Sequence, residues 1–98
     1  MRTTESIQGF LNAFTSWASM HPDIQAVVLV GSYAREAATE TSDIDLVLLV
    51  NEPHRYLGNT DWLRQFGTVE KQQVEDYGKV TSLRVWYAGG QEVEYGLT

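Results

Sequence analysis

The 98-residue chain carries seven basic residues against thirteen acidic ones, a formal charge of −6, and no cysteine. That length supports one domain with a single core, and that charge argues against direct nucleic-acid binding, which rests on Lys and Arg neutralising phosphates. Disulfides and thiolate zinc sites are excluded, no apolar run is long enough to cross a bilayer, and the stretch from Met1 to Glu5 lacks the apolar core of a signal peptide, so a soluble cytoplasmic chain is expected.

Ile7, Phe10, Leu11, Phe14 and Trp17 recur at helical spacing, with Thr4 as candidate cap and Glu5 in the first turn, which predicts an amphipathic helix. Pro22 separates it from Ile24 to Val30, a β-branched apolar run that reads as a buried strand and stops at Gly31-Ser32. Glycine there lets the backbone approach a bulky anion. Ser32, Tyr33 and Ala34 can then open a helix whose free N–H groups face that anion, a seat suited to a triphosphate.

Ile44 to Val50 reads as a second buried strand. Residues two apart on a strand face the same way, so Asp43 and Asp45 project together, and two carboxylates on one face invite a divalent cation. The connection is short enough that only antiparallel pairing brings Gly31 near Asp43, with Glu36 to Ser42 closing over the site. An acidic chain and a triphosphate repel each other unless a cation such as Mg²⁺ intervenes.

Further on, Glu52 to Tyr56 suggests a turn, and Asp61 to Phe66 a short helix closed by Gly67. Thr68 to Val74 and Val80 to Tyr87 are β-prone, and Gly89-Gly90 fits a tight hairpin into Glu92 to Leu97. The expected fold is α+β, a four- or five-stranded mixed, mostly antiparallel sheet with helices on one face. His21 and His54, beside prolines, are expected to be exposed. Trp17, Trp62 and Trp86 are expected in the core or against a partner, with Trp86 placed to approach a nucleotide.

Gly31-Ser32-Tyr33-Ala34-Arg35 followed by Ser42-Asp43-Ile44-Asp45-Leu46 resembles the signature of the DNA polymerase β-like nucleotidyltransferase superfamily. The stretch from Asp61 to Gly67, with the β-rich segment and late acid after it, further resembles the nucleotide-binding N-terminal half of aminoglycoside adenylyltransferases. The resemblance implies one nucleotidyltransferase domain over residues 1–98. It implies transfer of a nucleoside monophosphate from a nucleoside triphosphate, with ATP the expected donor, to an acceptor hydroxyl such as that of an aminoglycoside. It further implies two Mg²⁺ ions held by Asp43, Asp45 and a third acid on a late strand. Glu92 and Glu94 are the candidates for that acid, and Glu94 is favoured, as metal ligand, general base or both. Gly31, Ser32, Arg35 and Ser42 would meet the phosphates, although Arg35 equally suits an ion pair with Asp43 or Glu36.

In the adenylyltransferases a helical second domain forms much of the acceptor pocket, whereas the sequence here ends at Leu97 and Thr98, just after the third acid. The expectations are a piece of a longer enzyme, a helical partner protein or a homodimer, with the last strand as an open edge. One alternative function is an antitoxin-type minimal nucleotidyltransferase that binds or modifies a helical partner. Another is a catalytically degenerate domain, against which the three intact acids argue.

Overall fold

Helix α1 (Thr4–Ser19) buries Ile7, Phe14 and Ala18, with Phe10, Leu11 and Trp17 packed at the margin of the core. The structure, a computed structural model, describes residues 4–31 and 43–98; the side chains of Thr4, Glu5 and Ser6 lie outside what it describes. The helix ends against His21, whose Nδ1 lies 2.8 Å from the Trp17 carbonyl oxygen and whose ring lies 4.4 Å from that of Trp17. A carbonyl only accepts, so Nδ1 carries the proton. His21 is thus a half-buried cap on the helix, not the exposed loop histidine that its neighbour Pro22 suggested.

Strands β1 (Ile24–Val30), β2 (Ile44–Val50), β3 (Val69–Asp76), β4 (Thr81–Tyr87) and β5 (Glu92–Leu97) form one sheet in the order β1-β2-β5-β4-β3. Every pairing is antiparallel except β2 with β5, so the mixed, mostly antiparallel sheet expected from sequence is the one found. Helix α2 (Pro53–Gly58) and a 3₁₀ helix (Asp61–Phe66) connect β2 to β3, with Gly67 closing the latter as expected.

The last strand is not an open edge. It lies between β2 and β4, because the connection out of β2 carries the chain through a β3–β4 hairpin before β5 returns parallel to β2. The edges are β1 and β3. The latter, Val-Glu-Lys-Gln-Gln-Val-Glu-Asp, is mostly exposed and charged, a composition that discourages pairing with other chains.

Alternation divides the sheet into two faces. Ile44, Leu46, Leu48 and Val50 of β2, Leu83, Val85 and Tyr87 of β4, and Val93, Tyr95 and Leu97 of β5 are all buried with α1 and the 3₁₀ helix. An aromatic layer fills this side: Trp17 stacks on Trp62 with centroids 5.4 Å apart, and Tyr95 lies 5.0 Å from Trp62 and 5.6 Å from Phe14. The polar tips within it are bonded, as buried Tyr and Trp require. Trp62 Nε1 donates to the Tyr56 carbonyl at 2.9 Å, the Tyr87 hydroxyl donates to the Leu63 carbonyl at 2.8 Å, and the Tyr87 and Tyr95 hydroxyls bond each other at 2.9 Å.

A bulge between Ile24 and Ala26 resets the phase of β1. Ile24 pairs with core-facing Val50 and Val27 with core-facing Leu48, a spacing of three that a regular strand does not allow. Beyond the bulge, Ala26, Val28 and Val30 share the other face of the sheet.

Candidate active site

The face opposite the helices collects the acids. Asp45 is the second residue of β2 and pairs with Val30 on one side and Glu94 on the other; Glu94 in turn pairs with Arg84 of β4. Glu92 lies opposite Trp86, two residues along the same face. Adjacent strands lie about 4.8 Å apart, so residues in register carry their carboxylates side by side. Asp45 stands beside Glu94, and Asp43, one residue ahead of β2, stands beside Glu92.

Both late glutamates therefore lie on the face of Asp43 and Asp45, as strict alternation predicts, and register gives them different neighbours. Glu94 is the neighbour of Asp45, at the end of β1. Glu92 is the neighbour of Asp43, next to Trp86, whose ring carries the Lys71 ammonium 4.9 Å from its centroid.

Gly31 meets this row from the end of β1. Its φ of +78° is one that side-chain-bearing residues rarely adopt, and a Cβ placed on it would lie 2.3 Å from Asp45 Oδ2. The sequence needs glycine here for conformation and for the close approach of backbone to carboxylate. Ser32, Arg35 and Ser42, the other residues expected to touch phosphate, lie outside the described residues.

Arg84 occupies the centre of the face. Its Nε donates to Glu75 at 2.7 Å, Nη1 donates to Glu92 at 2.5 Å and Asp43 at 3.3 Å, and Nη2 donates to Glu94 at 2.5 Å. Only the planar guanidinium fork can serve so many carboxylates at once. Its proton is held more firmly than in a free arginine, chiefly through the bonds to Glu75 and Glu92. Burial, then the nearby charge of Glu92 and a hydrogen bond with it, raises Asp43 above the ordinary carboxylate value. Burial also raises Glu94, against the pull of Arg84 and with a push from Asp45. Glu75, half-buried and bonded to Arg84, shifts down, chiefly through that bond.

The sequence reading missed Arg84. Its signal was present: a charged residue between the buried Leu83 and Val85 must point to the opposite face, and counting back through the Gly89-Gly90 hairpin sets it across from Glu94.

The donors on this face are carboxylate oxygens, the chemistry a hard cation such as Mg²⁺ takes, and the bare Gly31 leaves Asp45 room beside the backbone. Among the described residues no three acidic groups converge as a preformed metal cage, and Asp43, Glu92 and Glu94 are ion-paired with Arg84. The residue types fit the ion.

A family model described as streptomycin adenylyltransferase matches residues 1–89. Among solved structures, the chain is similar to an aminoglycoside 6-adenyltransferase from Bacillus subtilis, with TM-score 0.73 and 19% identity over 99% of this chain and 35% of that one. It is also similar to the polymerase core of TRAMP, an RNA surveillance complex, with TM-score 0.67 and 16% identity over 98% of this chain and 32% of that one. GLD-2 in its complex with RNP-8 gives TM-score 0.64 and 23% identity over 98% and 34%. At these identities the likeness is one of fold, and the chain spans about a third of the length of each structure. No curated protein matches the sequence. With the family model covering nearly all of the chain, and a five-stranded mixed sheet bearing its acids on one open face, the chain belongs to the streptomycin adenylyltransferase family.

Proposed function

We propose that this chain is the nucleotide-binding domain of a Mg²⁺-dependent nucleotidyltransferase, which passes a nucleoside monophosphate from a nucleoside triphosphate, ATP being the expected donor, to an acceptor hydroxyl. The observation that carries the reading is the contact between Gly31 and Asp45, with Glu94 in register beside Asp45. The glycine that ends β1 lies against one of the paired carboxylates, which supports the reading.

Asp43, Asp45 and Glu94 would hold the cations, two as expected from the resemblance. A bound cation neutralises the triphosphate and stabilises the charge that develops as pyrophosphate leaves. Asp45 and Asp43 orient the phosphate chain over β2, and Gly31, with Ser32, Arg35 and Ser42, cradles it. Glu94, already raised by burial, is suited to accept the acceptor's hydroxyl proton. The acidity of this face suits a polycationic acceptor such as an aminoglycoside better than an anionic one.

Calorimetric titration of ATP with Mg²⁺, and again with EDTA, tests the reading. Mg²⁺-dependent binding weakened at least about tenfold in Asp45→Asn supports it. Equal heats for wild type and variant refute the assignment of Asp45, and no binding under either condition favours the degenerate alternative.

A further inference from the structure

The open face poses an electrostatic problem that Arg84 resolves. Register fixes Asp43 beside Glu92 and Asp45 beside Glu94, and like charges directly opposite across strands repel. In the structure the compensating charge is Arg84, one strand over from Glu94, with a side chain only 26% exposed. Its bonds fall into two groups. Nη1 and Nη2 reach Asp43, Glu92 and Glu94 on the β2–β5 side, whereas Nε is anchored to Glu75 of β3, on the side away from the proposed cation site.

We propose that Arg84 is the internal counter-ion of the metal-free site: it draws Asp43, Glu92 and Glu94 together when no divalent cation is present, and yields Asp43 and Glu94 when one enters. This rests on the assignment of those acids to the cation. The Nε–Glu75 bond gives the guanidinium a place to stay as its other two nitrogens let go, so the exchange needs rotation of side chains and no movement of the sheet. Arg84 and the cation then compete for the same oxygens, and Arg84 sets the concentration of cation the site requires. It is a positioning residue.

The test uses Mn²⁺ as probe, with binding followed by calorimetry and stability by thermal melting in EDTA. Arg84→Gln is expected to melt below wild type in EDTA, to regain most of the difference in saturating Mn²⁺, and to bind Mn²⁺ about tenfold more tightly, since a positive charge has left the vicinity of a divalent ion. The double variant Arg84→Gln with Glu92→Gln relieves the repulsion and serves the same measurement if the single variant does not fold. Unchanged or weaker Mn²⁺ binding overturns the counter-ion role. A wild-type chain that binds Mn²⁺, and loses it in Asp45→Asn while Arg84→Gln changes nothing, overturns this inference alone. A folded wild-type chain that binds no Mn²⁺ overturns the cation site as well.

Discussion

Replacing Gly31 by alanine probes the contact on which the site reading depends, and Gly78 supplies its control. Both glycines hold similar positive φ angles, +78° and +85°, but a Cβ on Gly78 meets nothing within 4 Å, whereas one on Gly31 would lie 2.3 Å from Asp45 Oδ2 and 3.2 Å from its Cγ. Forcing an L-residue into the left-handed region costs about 1–2 kcal/mol, so Gly78→Ala measures that strain by itself. Gly31→Ala carries the same strain and also requires the Asp45 carboxylate to retreat by about 1 Å or leave its rotamer, which adds about 1 kcal/mol. For a domain of this size each kcal/mol lowers the melting temperature by about 4–8 °C. Gly31→Ala is therefore expected to melt about 4–8 °C below Gly78→Ala. If Asp45 holds the proposed cation, a displacement of about 1 Å in its carboxylate is also enough to weaken Mn²⁺ binding by an order of magnitude or more, while Gly78→Ala is expected to bind as wild type does. Melting and Mn²⁺ calorimetry on the two variants decide the matter. Equal stability and equal Mn²⁺ affinity would refute the close approach of Gly31 to Asp45.

Within the core, Tyr87→Phe leaves both the Leu63 carbonyl and the Tyr95 hydroxyl without their partner and is expected to cost about 1–3 kcal/mol in urea denaturation; Tyr95→Phe keeps the Tyr87–Leu63 bond and is expected to cost less. The reverse order would mean that the hydroxyl pair is wired the other way. Tyr56 donates to Asp23 at 2.6 Å, and this bond is the main reason that the Asp23 carboxyl titrates below its ordinary value, while burial and the same bond push Tyr56 up to about 12. A depressed acid contributes stability above its unfolded pKa and loses it as pH falls through the folded one. The stability gap between wild type and Tyr56→Phe should therefore be full at neutral pH and close below pH 3.8, the ordinary value; a gap that persists unchanged in acid contradicts the pairing. In a nucleotide-transfer assay, Glu94→Gln should lower kcat more than Glu92→Gln, because only Glu94 is in register with Asp45. The opposite order would assign the third acid to Glu92.

Much of the site was legible because its parts are local. Gly31 just after β1, and Asp43 and Asp45 around Ile44, are placed by two strands adjacent in sequence, whose antiparallel pairing followed from the short connection between them. Glu92 and Glu94 were both placed on one face by alternation, and alternation could go no further, since residues two apart are equivalent to it. Which of them lies beside Asp45 turns on which strand lies next to β5. That is a non-local fact: β2 takes β5 as its parallel partner and brings Asp45 to Glu94, far apart in sequence. The expected open edge at the end of the chain failed for the same reason. Arg84 escaped notice because a single strand arginine has no motif, and its meaning appears only once four carboxylates from β3, β5 and the start of β2 are assembled around it.

The sequence by itself determined the local elements, the sheet faces and the chemistry of the row of acids, because periodicity, turn residues and carboxylate spacing are properties of contiguous chain. Tertiary structure decided the strand order, the bulge that rephases β1 and the central place of Arg84. Each of these depends on which distant backbone supplies a hydrogen-bonding neighbour, and that is fixed by burying the aromatic layer of Phe14, Trp17, Trp62 and Tyr95 on one face, which leaves the charged groups to neutralise one another on the other.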